Sequence, residues 1–179
     1  MPMLEKPIAE SYWVIPGFFL AGEYPAARMD DLQTHQRLAA FIASGFDTYL
    51  DLTCEGERNP YLKLMLEEAR SIGLAVQYQR FSFPDFSAPS RAAMRSALNA
   101  IDATLADHHR LYLHCVGGIG RTGTTVACHL IRHGMKPESA LERLRDLYRT
   151  SAQSLIAPHS PEADEQVRFV LDWEEHGLA

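Results

Sequence analysis

Cys115 and Arg121 enclose five residues, Val116, Gly117, Gly118, Ile119 and Gly120, in the run LYLHCVGGIGRTGT at 111–124. Two chemistries use such a stretch. Gly118, Gly120 and Gly123 satisfy G-x-G-x-x-G, the turn that cradles a dinucleotide pyrophosphate between a strand and a helix. Alternatively, a strand delivers Cys115 as a nucleophile into a curl of backbone N–H groups that Arg121 closes. The residues after the turn separate the two. The helix expected from Arg121 to Gly134 leads into KPESALERLRDLYRT, which is helical again, so no β-α-β unit is completed. Glu138 lies 20 residues after Gly118, but at a helix start rather than a strand end. The triphosphatase loop G-x4-G-K-[ST] fails because the chain has no Gly-Lys pair.

The C-x5-R reading accounts for more of the residues. Consecutive N–H groups aimed at one point suit a tetrahedral dianion. Gly117, Gly118 and Gly120 allow the curl without side chains striking the anion. The next helix adds partial positive charge at its N-terminus. Arg121 offers two parallel hydrogen bonds to phosphate oxygens, which lysine cannot copy. The same donors favour the thiolate, the nucleophilic form of cysteine. Thr122 is placed to give its hydroxyl to the sulfur as it leaves in a second step. His114 either orients the loop through its ring nitrogens or satisfies a backbone group at a strand end. The bland alternative is a core thiol beside a surface cation, which needs no glycines around it.

These residues must be held by a scaffold, and the flanking pattern supplies one. WVIPGFFLAGE reads as short strands about a Pro-Gly turn. DDLQTHQRLAAFIASG reads as a helix with Leu32, His35, Leu38, Ala39 and Ile42 near one face. FDTYLDL is a buried strand, PYLKLMLEEARSIG a helix, LAVQYQRF a strand and SFPDFSAPS a loop held irregular by Pro84 and Pro89. SRAAMRSALNAIDATLAD is a long helix capped by Ser90. RLYLHCV is the strand that runs into the glycine-rich turn. Three helices follow, RTGTTVACHLIRHG, PESALERLRDLYRT and SPEADEQVRFVLDWEEHG, the last two opening on proline. Strands alternating with helices predict an α/β fold: a central, mostly parallel sheet flanked by helices, with a helical C-terminal part. No repeat or linker divides residues 1–179, so one domain is expected.

Composition bounds the function. There are 17 Lys and Arg against 23 Asp and Glu, a formal charge of −6, which argues against non-specific binding to nucleic acid or anionic membranes. No segment is long and apolar enough for membrane insertion. YWVIPGFFLAG is broken by Pro16 and Gly17 and reads as folded structure, not a signal peptide. Cys54, Cys115 and Cys128 make neither a disulfide scaffold nor a close zinc-type pair, so a reducing, cytoplasmic setting is expected. His108, His109 and His129 form no defensible ligand set, and Met65, Met94 and Met135 read as packing residues. Arg58 and Arg80 either extend the site entrance or are solvated surface charges.

HCVGGIGRTG resembles the signature H-C-x-x-G-x-G-R-[ST]-G of the cysteine-dependent tyrosine and dual-specificity protein phosphatases. FPDFSAPS is similar to the mobile loop that carries their general acid and lies 30 residues before Cys115. AGEYP, DLTCEGE and SPEADEQVRFVLDW also resemble segments of small bacterial-type members, so the likeness runs from about residue 13 to 173. The resemblance implies attack by Cys115 on phosphorus with Asp85 as acid, then hydrolysis of a phosphocysteine with Asp85 as base. Asp85 sits between prolines beside Phe83 and Phe86, where partial burial would favour the protonated carboxyl; otherwise it is a turn aspartate. The likeness also implies that Gln166 stands near the hydrolytic water, or else on an exposed helix face. In some relatives a cysteine placed like Cys54 pairs with the nucleophile after oxidation; the alternative is a free thiol packed below the site. No cofactor or metal is implied, because the loop supplies the charge stabilisation. The substrate expected is a phosphoprotein or a small phosphomonoester, phosphotyrosine first and phosphoserine or phosphothreonine as an open second class. Val116, Gly117, Gly118, Ile119 and Gly120 carry no charge, which disfavours a polyphosphorylated inositol lipid. A catalytically dead phosphoprotein-binding relative would lack the cysteine, arginine or acid, and a sulfur transferase needs neither the Arg-Thr pair nor the acid loop.

Overall fold

Ser11–Ile15 and Phe19–Gly22 form an antiparallel hairpin, β1 and β2, about the Pro16-Gly17 turn. In chain order there follow α1 (Asp31–Ala43), β3 (Thr48–Asp51), α2 (Leu62–Ser71), β4 (Gln77–Arg80), α3 (Arg91–Ala106) and β5 (Leu111–His114). Then come α4 (Gly120–Arg132), α5 (Pro137–Tyr148), a 3-10 turn at Ala152–Leu155 and α6 (Asp164–Leu171). This computed structural model describes residues 4–27 and 30–175.

The sheet order is β1-β2-β5-β3-β4, and only β1 runs antiparallel. Its register places the functional edge. Gly22 pairs with His114, His114 with Asp51 and Asp51 with Arg80, so the parallel strands all end in one row. Loops leaving that row share the carboxyl edge of the sheet, where open α/β folds place their ligands. Central β5 and β3 are buried throughout, whereas edge strand β4 alternates exposed Gln77 and Gln79 with half-buried Tyr78 and Arg80. Alternation along the strands feeds two cores. Tyr12, Phe19, Leu50, Leu111 and Leu113 pack under α3, α4, α5 and α6. Leu20, Tyr49 and Tyr112 point the other way, toward α1 and α2.

α4 is buried from Gly120 to His129. Its small residues let α3, α5 and α6 approach, and its hydroxyls are returned to its own backbone, Thr124 to Gly120 O at 2.8 Å and Thr125 to Arg121 O at 2.9 Å. Ser90 caps α3 through Ala93 N as expected.

Three expectations are corrected. The buried face of α1 is Thr34, Leu38, Phe41 and Ile42; Leu32 is exposed, and His35 pairs with Glu68 of α2 at 3.0 Å. An aromatic cluster turns the helix that way, with Phe41 4.3 Å from Tyr112 by ring centroids and also against Phe46 and Tyr49. The last helix starts at Asp164, not at Pro161, because residues 160–163 are drawn across the glycine-rich loop. Met65 and Met94 are core, but Met135 is exposed.

Candidate active site

β5 ends at His114, and Cys115 follows it directly onto the carboxyl edge, 3% exposed and unbridged. The loop then curls into α4 at Gly120. Two neighbours hold it from outside: Tyr24 N donates to Val116 O at 3.0 Å, and Ser160 Oγ donates to Ile119 O at 2.7 Å. Gly118 adopts φ +70°, and a Cβ there would lie 2.2 Å from Gly22 C and 2.5 Å from Glu23 N. Only glycine satisfies both the backbone and the close approach of the end of β2.

His114 is fully buried behind the loop. Its Nδ1 lies 3.3 Å from Cys115 O, which can only accept, so Nδ1 carries a proton. Burial pushes the ring pKa down, with Asp51 opposing, so the imidazole is neutral. Nε2 must then accept, and Tyr61 Oη donates to it at 2.7 Å. His114 thus satisfies a backbone carbonyl at the strand end, and Tyr61 is the unforeseen partner that fixes its tautomer.

Arg121 is 1% exposed; both its Nη nitrogens are engaged, while its buried Nε has no hydrogen-bond partner. Its Nη1 and Nη2 meet Glu57 Oε2 and Oε1 at 2.8 and 2.6 Å, a two-pronged pair. Nη1 also reaches Phe83 O at 3.3 Å, and Nη2 lies 3.2 Å from Asp85 Oδ1. Burial opposes the cation, but the Glu57 hydrogen bonds and the nearby acids outweigh it and raise the Arg121 pKa. The reciprocal effect holds Glu57 below the usual carboxylate range, through Arg121 first and then the Cys54 N–H at 2.8 Å, against some burial. Glu57 was not singled out from the sequence. The signal was present: it lies just beyond the end of β3, on the same edge as Cys115.

Asp85 reaches the cluster, but not by burial. Its side chain is 44% exposed and Phe86 is 63% exposed; only Phe83 is in the core. The expected apolar enclosure of the acid is thus corrected: Arg121 and its own turn hold Asp85, whose Oδ1 accepts Phe86 N at 3.1 Å. Cys54 points its thiol at Phe83 O, 3.4 Å away, the same carbonyl that Arg121 uses. The Thr122 hydroxyl is buried and makes no hydrogen bond, to the Cys115 sulfur or to any other group. Cys128 is core, its thiol pKa pushed up by burial.

Gln166 is fully buried, not on an exposed helix face. Its amide accepts Ala163 N at 3.3 Å and donates to Ser87 O in the acid loop at 3.3 Å. A Cβ on Gly120 would meet Gln166 Oε1 at 2.7 Å and Nε2 at 2.8 Å, and Glu162 Oε1 at 2.6 Å. Glu162, also unforeseen, accepts the Gly120 N–H, and its pKa is raised by desolvation and then by Asp85, with Arg121 opposing. The entrance arginines resolve separately. Arg80 is tied to Asp51 at 3.2 Å, and Arg58 lies over the Tyr24 ring, 5.3 Å from its centroid.

A family profile described as "Polymorphic toxin system, DSP-PTPase phosphatase" matches residues 30–135. The human dual-specificity protein phosphatase CDC14A is 28% identical over 123 residues, which are 68% of this chain but 19% of that protein. This chain therefore spans about a fifth of that relative's length. The pig cyclin-dependent kinase inhibitor 3 is 29% identical over 79 residues, 43% of this chain and 37% of the relative. Among solved structures, Tk-PTP in the active form superposes with a TM-score of 0.66 at 25% identity, covering 91% of this chain and 96% of the other. PTPMT1 in complex with PI(5)P gives 0.65 at 17% identity, covering 91% and 93%.

Proposed function

The chain belongs to the DSP-PTPase phosphatase family of polymorphic toxin systems, and from that we propose that it hydrolyses phosphotyrosine in proteins, with phosphoserine and phosphothreonine as a second class, through a phosphocysteine. The observation that carries this reading is the meeting of Cys115, Arg121 and Asp85 at one sheet edge, with Asp85 3.2 Å from the guanidinium.

In the first step the Cys115 thiolate attacks phosphorus. The phosphorus–oxygen bond to the substrate breaks, and Asp85 gives its proton to the departing oxygen. The amides of the Val116–Gly120 loop, with Glu162 giving up the Gly120 N–H, and the guanidinium of Arg121 hold the equatorial oxygens as charge spreads over them. Glu57 holds the guanidinium plane ready for the substrate. In the second step water attacks the phosphocysteine, Asp85 takes a proton from it, and the sulfur leaves as thiolate. Thr122, its hydroxyl without another partner, is the donor we assign to that departing sulfur. Gln166, packed against Gly120 and bonded to the acid loop, orients the water.

The five uncharged loop positions favour a single phosphate over a polyphosphorylated inositol lipid. No helix among the described residues is long and apolar enough to cross a membrane. Three free cysteines and a thiolate mechanism suit a reducing compartment, and we place the protein in the cytoplasm.

The test is release of phosphate from phosphotyrosine peptides, phosphoserine peptides and an inositol trisphosphate. Turnover of the first, abolished by Cys115→Ser and by Arg121→Ala, is the expected result. No turnover of any substrate by the wild-type chain would point to a phosphoprotein-binding relative, and much faster turnover of the inositol phosphate would overturn the substrate choice.

A further inference from the structure

The far end of α4 carries chemistry that phosphate hydrolysis does not use. His129 and His133 stand one helical turn apart on that helix, and Asp102 of α3 faces both. One oxygen is common to the group: Asp102 Oδ1 lies 3.0 Å from His133 Nε2 and 3.7 Å from His129 Nδ1. The three ligand atoms all lie within 4.8 Å of one another. A tetrahedral zinc ion with bonds near 2.0–2.1 Å places its ligand atoms roughly 3.3 Å apart, so small side-chain shifts bring these three onto one ion.

A second observation points the same way. His129 is 4% exposed, and its Nδ1 has no hydrogen-bond partner. A buried ring nitrogen without a partner costs free energy, yet this one faces a carboxylate oxygen. The other carboxylate oxygen is already occupied: Arg132 Nη1 donates to Asp102 Oδ2 at 3.0 Å and to Asn99 at 3.0 Å. Glu175 engages the rest of that guanidinium and offsets its charge. The arrangement orients the carboxylate with Oδ1 turned to the histidines, as outer-shell partners do at metal sites. His133 and Asp102 are 56% and 35% exposed, which leaves a path from solvent.

We propose that His129 Nδ1, His133 Nε2 and Asp102 Oδ1 form a binding site for a zinc-type divalent transition-metal ion, with water as fourth ligand, joining α3 to α4 away from the cradle. The ion takes the place of the hydrogen bond between His133 Nε2 and Asp102 Oδ1, the ring's one remaining proton sitting on Nδ1.

The experiment titrates Zn2+ into untagged, metal-free protein against a chromophoric chelator, and Co2+ for its visible spectrum. One equivalent should bind, and Co2+ should give the intense bands of a tetrahedral site in wild type and in Cys115→Ser alike. His133→Ala and Asp102→Asn should each weaken Zn2+ binding by at least the roughly 10–100-fold that loss of an outer-shell partner costs. Zn2+ should raise the Tm of wild type and not that of His133→Ala, whose phosphatase activity should stay at the wild-type level. Absence of one-equivalent binding, loss of it in Cys115→Ser, or binding unchanged in both His133→Ala and Asp102→Asn would overturn the proposal.

Discussion

Glu57 and Asp85 reach the same guanidinium from two loops and are held in contrasting ways. Glu57 gives Arg121 both carboxylate oxygens, at 2.6 and 2.8 Å, accepts Cys54 N as well, and keeps a side chain 24% exposed. Asp85 offers one oxygen at 3.2 Å from a side chain 44% exposed, in a loop where Phe86 takes φ 53°. The first carboxylate is anchored at three points, and the second rests on one ion pair and its own turn. A group that orients a cation gains from rigidity. A group that must give up and recover a proton beside substrate gains from reach. The number of fixed contacts thus separates the two Arg–acid pairs and supports the different tasks proposed for them, orienting Arg121 and passing a proton.

Replacing each acid tests that contrast most sharply. With Asp85→Asn, kcat on a phosphotyrosine peptide should fall about 100- to 10,000-fold, the range for loss of a general acid, with Tm unchanged. The fall should be smaller on p-nitrophenyl phosphate, whose leaving group needs little protonation. Equal losses on both substrates would remove Asp85 from the acid role.

Glu57→Gln should act on stability and binding together. Losing a charged partner of a buried arginine should cost about 1–2 kcal/mol after allowance for solvent screening, read by urea unfolding. Phosphate inhibition should weaken as Arg121 loses its orientation. A variant with unchanged stability would make Glu57 no more anchored than Asp85.

Acid titration sharpens the same point. The folded-state pKa of Glu57 lies below its unfolded value, so its contribution is present above the usual glutamate range and is lost as pH falls through the folded pKa. Wild type should therefore lose stability faster than Glu57→Gln on acidification below the glutamate range, so that the two unfolding curves converge. Curves that stay parallel would deny the shift.

The smallest effect belongs to Glu162, whose pKa is raised by desolvation and by Asp85. Ionised, it opposes a phosphate dianion at Gly120; protonated, it does not. Inhibition by phosphate should weaken several-fold as pH rises through the Glu162 titration, beyond what phosphate's own ionisation accounts for, and Glu162→Gln should flatten that excess. An unchanged pH profile in the variant would separate Glu162 from the cradle.

Much of this was legible because local patterns and local structure agree. The Cys115 to Arg121 run, the Ser90 cap and the alternation of strands with helices need only neighbours in sequence. Long-range geometry set the remainder. Nothing near Leu32 or Phe41 tells which face of α1 meets Tyr112, because the aromatic cluster is assembled from four separate segments. Asp85 was assigned by its place in the acid loop, but the apolar shelter expected from Phe86 is absent, since a flanking aromatic need not fold over its neighbour. Gln166 could not be told from a surface glutamine until residues 160–163 were seen to cross the loop. Glu57 lay within a segment already marked by resemblance, and only the register of β3 against β5 shows that it faces Arg121. His133, in the last residues of the helix segment RTGTTVACHLIRHG, meets Asp102 only through the packing of α3 on α4.

Gly118 rests against the backbone of Gly22 and Glu23, so the curvature of the glycine-rich loop is moulded by the end of β2. The stretch that defines the family, residues 30–135, excludes both that strand and Gln166. Excised by itself, such a fragment would bare one flank of β5, the strand that leads into Cys115, and lose the wedge that shapes its loop. Trimming the protein to its most recognisable portion would keep every signature residue while dismantling the mould that bends them into a receptor.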